Sequence, residues 1–415
     1  MLSRNYTWLL LLGFGLVSTP GADGSAALSP ETSASSGAPR KISDEVAVDA
    51  VDLLFLPDHL FMKSSTAIST DYLKRIADPK SPFHATYVAY EQRKISRRQV
   101  IERLPHVAMI GDSLSKNAYV SSIPSTFWRV RTERRRDWFL DTDSSPASVY
   151  SVFERLERLT PLVATEYSGV GAIVDRGDTR ESFARRLIRT RNFSGQVDQV
   201  LKARRYPDLI MLWIGHNNLD WAAETPVQER EHPEKRFEES AKKFEQNYRR
   251  QLRRLMARAE KEDHKVAIVV FGLVNFEAFF KAREEAEALR ESNRKLFPYL
   301  EIDYGHFLSM RPSYRGGMIR LALMMNKELH AMVTDLNRQC PRNVQLRYSD
   351  ALANVDIGRA ELIHAMDAWH PSVKGHSVLA KAALSDLPPS LEFLGIEQKT
   401  NASTVSKLGQ QSASR

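Results

Sequence analysis

The chain has 415 residues, 42% hydrophobic and 27% charged, which excludes a globally disordered chain, a collagen-like fibre and a multi-span membrane protein. Lysine and arginine outnumber aspartate and glutamate by 59 to 51, and the net charge of +8 permits attraction to anionic surfaces without requiring a nucleic acid. The single cysteine, Cys340, excludes an intrachain disulfide and any multi-cysteine zinc or iron–sulfur site.

Residues 1–26 read as an export signal. Arg4 supplies the charge, an apolar run covers 8–17, and Thr19, Ala22 and Ala26 supply small residues. That run is short for a bilayer span, so the expectation is a secreted or periplasmic protein, with an uncleaved anchor as the alternative. Residues 27–41 are rich in Ser, Ala, Gly and Pro and read as a disordered linker. Residues 42–103 are expected to form a helical N-terminal extension, with a helical stretch at 87–104.

A domain is expected over 104–390. Short apolar or β-branched runs at 106–110, 162–167, 208–214, 266–271 and 344–348 predict buried strands. Helical stretches are predicted at 149–159, 181–189, 196–204, 234–262, 277–294, 317–336 and 373–384. Strands alternating with helices predict an α/β fold with a parallel central sheet covered on both faces. Active sites of such sheets lie outside the carboxyl ends of the strands. Residues 398–415 are polar and serine-rich and read as a disordered tail.

Four motifs follow predicted strands or precede the last helix. Gly111-Asp112-Ser113-Leu114-Ser115 follows the first run. A serine there sits at a strand's carboxyl end and at the start of an expected helix, whose free N–H groups favour an oxyanion. The plainer reading is a helix start capped by Asp112 or Ser113. Asp367-Ala368-Trp369-His370-Pro371 precedes the last long helix. A serine nucleophile needs a base, and a histidine oriented by a carboxylate supplies one. The plainer reading is a surface turn with Pro371 opening the helix. Gly215-His216-Asn217-Asn218 offers an Asn amide as an oxyanion donor, or simply a turn. Ser168-Gly169-Val170-Gly171-Ala172 offers close backbone approach. As a dinucleotide fingerprint it is incomplete, since Val174 stands at the third glycine position. No cofactor and no metal are expected.

Together the four blocks resemble the GDSL (SGNH) hydrolases, over about residues 104–385. Gly111-Asp112-Ser113-Leu114 matches the first block, Gly215-His216-Asn217 the Gly-x-Asn block, and Asp367-x-x-His370-Pro371 the last. Gly171 is the best match for the glycine block, with Gly169 and Ala172 as alternatives. The resemblance implies a three-layer α/β/α, flavodoxin-like SGNH-hydrolase fold. It implies Ser113 as nucleophile, His370 as general base and then acid, and Asp367 as the group orienting His370. It implies an oxyanion hole made by the N–H groups of Ser113 and Gly171 and the side chain of Asn217. Two positions depart from the family pattern: Asn218 replaces the common Asp, and Glu166-Tyr167 stand where an Asn often precedes the glycine.

The expected function is an exported serine hydrolase cleaving carboxylic esters of a lipid, an acylated glycan or a small molecule. The alternatives are an envelope glycan O-acyltransferase or deacetylase using the same residues, and a non-catalytic binding protein on the same fold. Association with an envelope or membrane surface is compatible with the charge. The basic run Arg129, Arg131, Arg134, Arg135 and Arg136, between Trp128 and Trp138, reads as a solvated face or substrate rim, not a nucleic-acid site. The aromatic residues from Phe276 to Phe307 read as core packing, with a lid or acyl pocket as the alternative. His376 reads as a packing or capping residue. Asn192 and Asn401 fit the glycosylation pattern.

Overall fold

The computed structural model describes residues 65–116, 118–122, 128–132, 137–141, 149–177, 191–292, 311–364 and 368–396. All belong to the unit Ala50–Arg415, whereas the unit Met1–Asp49 lies outside them. The expected export segment, linker and tail, the predicted helix at 181–189, and Asp367 therefore lie outside the described residues.

The strands, in chain order, are Ser65–Ile68 (β1), His106–Gly111 (β2), Ala118–Ser122 (β3), Trp128–Thr132 (β4), Val163–Glu166 (β5), Leu209–Trp213 (β6), Val266–Phe271 (β7) and Val344–Ser349 (β8). Six of them form one sheet in the order β1-β5-β2-β6-β7-β8. The pairs β5–β2, β2–β6, β6–β7 and β7–β8 are parallel. Every residue of β2, β5, β6 and β7 is buried. That is why β2 after His106, β6 and β7 read as continuous apolar runs and not as alternating ones, whereas β5 buries Thr165 and Glu166.

Helices pack on the sheet and on one another. The helix Phe193–Lys202 packs on β2 and on Glu234–Lys261, which packs on Arg315–Asn337 beside β8. The helix Val152–Leu159 packs on Val373–Ser385, and Pro388–Leu394 packs on β7. The helix Glu234–Lys261 buries Phe237, Ala241, Phe244, Tyr248, Leu252, Leu255 and Ala259, the three-and-four spacing of one helical face. Val152–Leu159 starts with a capping box, Ser151 with Glu154. Among the described residues, no helix is long and apolar enough to cross a membrane.

Three expectations are corrected. The extension expected as helical over 42–103 does hold the helices Tyr72–Ala77, His84–Glu91 and Arg97–Ile101 among its described residues, but it also contributes β1, an edge strand antiparallel to β5. Four residues with the half-buried sequence STAI carry too little periodicity to announce a strand. The stretch 87–104 is two helices, His84–Glu91 and Arg97–Ile101, with Arg93 at φ 55° between them and a capping box at Ser96. Among the described residues, Ser113 does not open a helix. The chain turns over Asp112–Ser115, where the Ser115 N–H donates to the Asp112 carbonyl at 3.1 Å, and then enters the antiparallel ribbon β3–β4. The sequence AYVSS paired with WRVRT has the β-branched and aromatic content of strands.

Arg129 and Arg131 lie on β4. Trp138 is fully buried and meets Trp213 and Phe271 edge-on, with centroids 5.7 and 6.1 Å away, so it is a core residue and not a stacking platform. Asn192 is also buried, and its side-chain oxygen accepts from the Ile173 N–H at 3.3 Å.

Candidate active site

The site is built at the carboxyl ends of β2, β5 and β6. Ser113 follows β2 and is buried at 4% exposure. Its neighbour Asp112 is fully buried. The Asp112 carboxylate accepts from the Leu114 N–H at 3.1 Å through Oδ1, which closes the turn carrying Ser113. Through Oδ2 it accepts from the Gly215 and His216 N–H groups, each at 3.1 Å, and lies 2.8 Å from His216 Nδ1. Asp112 is therefore a tie between the ends of β2 and β6.

After β6, Gly215 adopts φ 131°, where a side chain would be strained and a Cβ would stand 2.6 Å from Phe244. This turn aims Asn217 and Asn218 at the loop following β5. Asn217 Nδ2 donates to the Ala172 carbonyl at 2.9 Å, which fixes the amide and uses one of its two hydrogens. Asn218 clamps Val174 on both sides: Oδ1 accepts its N–H at 2.8 Å and Nδ2 donates to its carbonyl at 3.1 Å. An aspartate could not make the second bond, because a carboxylate only accepts. The departure from the family's Asp is thus locally satisfied.

The same loop separates the three glycine-block candidates. The Gly169 N–H donates to the Gly111 carbonyl at 3.1 Å, and the Ala172 N–H donates to the Gly169 carbonyl at 3.2 Å. Among the described residues, the N–H groups of Gly171 and Ser113 have no acceptor. Gly171 sits at φ 67°, exposed, with open space where its side chain would be. Only a glycine holds this left-handed turn without cost.

His370 is buried at 4% exposure on a narrow loop. The His364 N–H donates to the His370 carbonyl at 2.6 Å, and Ile363 forms an antiparallel bridge with Pro371. Pro371 does not open the following helix. Ser372 is its N-cap, and its hydroxyl accepts from the Gly375 N–H at 3.1 Å. Ala368 adopts φ 47°, and its carbonyl accepts from Nη1 of the fully buried Arg283 at 3.1 Å. The serine and histidine loops meet: Leu114 lines one apolar cavity together with Trp369 and Pro371, over Trp213, Phe279 and Leu379.

Several groups here escaped the sequence analysis. Arg283 lies on the apolar stripe Phe276, Phe279, Phe280 of the helix Phe276–Ser292, and a cation on such a stripe is the signal that points to it. Phe276 and Phe279 pack against Trp369 at 5.9 and 4.8 Å, so these aromatics are core; Phe297, Tyr299, Tyr304 and Phe307 lie outside the described residues. Gln196 clamps Gly111 from the helix Phe193–Lys202, accepting its N–H at 2.9 Å and donating to its carbonyl at 2.8 Å. His376 is fully buried, and its Nδ1 accepts from the Trp138 N–H at 3.3 Å. Burial, and then the nearby His370 and His364, push its pKa down to about 3. Asp137 accepts from the Phe139 and Leu140 N–H groups. Burial, and then the charge of Glu166, hold its carboxyl well above the usual carboxylate range.

A family model described as GDSL-like Lipase/Acylhydrolase matches residues 107–383. No curated protein matches the chain by sequence. Among solved structures, the lipase Lip_vut3 from a goat rumen metagenome is similar, with 15% identity and a TM-score of 0.37, over 68% of this chain and 96% of that one.

Proposed function

Because the chain belongs to the GDSL-like lipase/acylhydrolase family and is an ester-bond hydrolase, we propose that it cleaves carboxylic esters through Ser113, His370 and Asp367. Ser113 Oγ attacks the ester carbonyl while His370 takes its proton. The charge that develops on the carbonyl oxygen is met by the N–H groups of Ser113 and Gly171 and the second N–H of Asn217. His370 returns the proton to the leaving alcohol, and water then releases the acid. Asp367 orients His370 in this reading.

The observation that carries the reading is the pattern of used and unused donors. The N–H groups on either side of Gly171's turn are spent on backbone carbonyls, and that of Leu114 is spent on Asp112. Those of Ser113 and Gly171 have no acceptor among the described residues, and the Asn217 amide is anchored on the carbonyl of Ala172. Buried donors are almost always paired in folded proteins, so the unpaired N–H of the buried Ser113 supports an anionic ligand that forms during turnover, and the exposed N–H of Gly171 is accessible to the same ligand. The apolar run at 8–17 supports export of the enzyme.

The test uses p-nitrophenyl acetate. Ser113→Ala is expected to abolish turnover with the melting curve unchanged. Asn217→Ala is expected to lower kcat by roughly a hundred- to a thousandfold, as for other oxyanion donors. Wild-type turnover by the folded Ser113→Ala protein would refute the assignment of the nucleophile.

A further inference from the structure

Between the anchored Asn217 and the buried Asp112 lies His216, whose side chain is 1% exposed. Both of its ring nitrogens are engaged. Nε2 lies 3.4 Å from the Val274 N–H, which can only donate, so Nε2 is the acceptor. Nδ1 then carries the proton and donates to Asp112 Oδ2 at 2.8 Å. The imidazole is thereby a neutral link joining three loops: the one after β2 through Asp112, its own after β6, and the one after β7 through Val274. Packing fixes the ring plane, since it meets Trp213 edge-on with centroids 4.7 Å apart. Its backbone N–H is tied to the same carboxylate oxygen. Asn217, the next residue, inherits that fixed backbone.

We propose that His216 is a positioning residue for the oxyanion hole, holding the peptide that carries Asn217 in register with the Ser113 turn. The inference rests on the reading of Asn217 as an oxyanion donor. A misplacement of about 1 Å at a catalytic group costs on the order of a hundredfold in rate, and the double tether suppresses such a drift. Nothing in this role touches substrate binding, so it acts on kcat and leaves KM alone.

A double-mutant cycle with p-nitrophenyl acetate tests it. His216→Phe keeps the ring volume and removes both bonds, whereas His216→Asn keeps a donor near the Nδ1 position. His216→Phe is expected to lower kcat by about ten- to a hundredfold with KM within about twofold, and His216→Asn to recover most of that loss. Asn217→Ala is expected to cost far less in the His216→Phe background than in the wild type, because the amide is already displaced. A kcat within about twofold of wild type for His216→Phe, or the same Asn217→Ala penalty in both backgrounds, overturns the proposal. An unchanged kcat for Asn217→Ala alone is a different result, and it removes the oxyanion reading together with this inference. Should the Phe variant not fold, His216→Gln, which lacks a donor near Nδ1, takes its place in the same cycle.

Discussion

The two ends of the central sheet solve the same problem with the same residue types and opposite outcomes. At each end one aspartate ties β2, β6 and β7 with a histidine beside it. At the amino ends, Asp208 accepts from the His106 N–H at 2.6 Å and from Arg205 at 2.8 Å, and lies 3.3 Å from His264 Nε2. The Asp208 carbonyl also accepts from the Ala267 N–H at the start of β7. Its side chain and that of Arg205 are 20% and 25% exposed, so water shares the charge. At the carboxyl ends, Asp112 is fully buried and meets backbone N–H groups and a neutral imidazole instead of a guanidinium. The lower cluster holds strands together with a cation. The upper one does so with dipoles, and among the described residues no guanidinium meets the carboxylate beside Ser113. Next to this scaffold of dipoles, the N–H groups of Ser113 and Gly171 have no acceptor among the described residues.

Substitutions at the two aspartates separate these roles. Asp112→Ala leaves the Gly215 and His216 N–H groups and the His216 ring donor buried without an acceptor. Each such group costs about 1–3 kcal/mol, so a loss of at least about 3 kcal/mol in urea unfolding is expected, with kcat down by about a hundredfold. A variant of near-normal stability and rate would show that the upper tie is dispensable.

Acid acts on both ends together. His106 is pushed down to about 4 by burial and by Arg205, and His376 to about 3. Their ordinary value is 6.5, so between these limits the unfolded chain holds two protons that the folded chain excludes. Stability is full above pH 6.5 and falls as the pH drops towards 4, by about 1.4 kcal/mol per unit for each histidine. His106→Asn should halve that contribution to the slope in unfolding measurements at several pH values. An unaltered slope would mean that His106 titrates normally.

The smallest effect is expected at Asp208. Asp208→Asn keeps one acceptor and loses a partly solvated ion pair, so about 1 kcal/mol of stability is at stake, with kcat within about twofold of wild type. A tenfold loss of kcat would erase the functional difference between the two ends.

Much of this architecture is readable in the sequence because its cause is local. β2, β6, β7 and β8 stand where short apolar runs predict them, since buried parallel strands need apolar side chains on both faces. The long helices follow their three-and-four spacing in the same way. The strand-end placement of Ser113, Gly171 and Asn217 was equally legible, because each motif directly follows such a run. The sequence misleads where the partner is remote. β1 becomes a strand only because β5 accepts it at the edge, and the chain after Ser113 becomes a ribbon only because β4 lies opposite β3.

The choice among Gly169, Gly171 and Ala172 is of this second kind. It depends on which N–H groups remain open, and the Gly111 carbonyl, far away in the chain, is what occupies Gly169. The same holds for Asp112, whose partners lie after β6, and for Arg283, which reaches the Ala368 carbonyl beside His370. Periodicity reports what a residue's immediate neighbours in the chain require. Hydrogen bonds across the sheet are settled when loops from different strands meet, so only the folded chain decides which donors are spent and which stay free for chemistry.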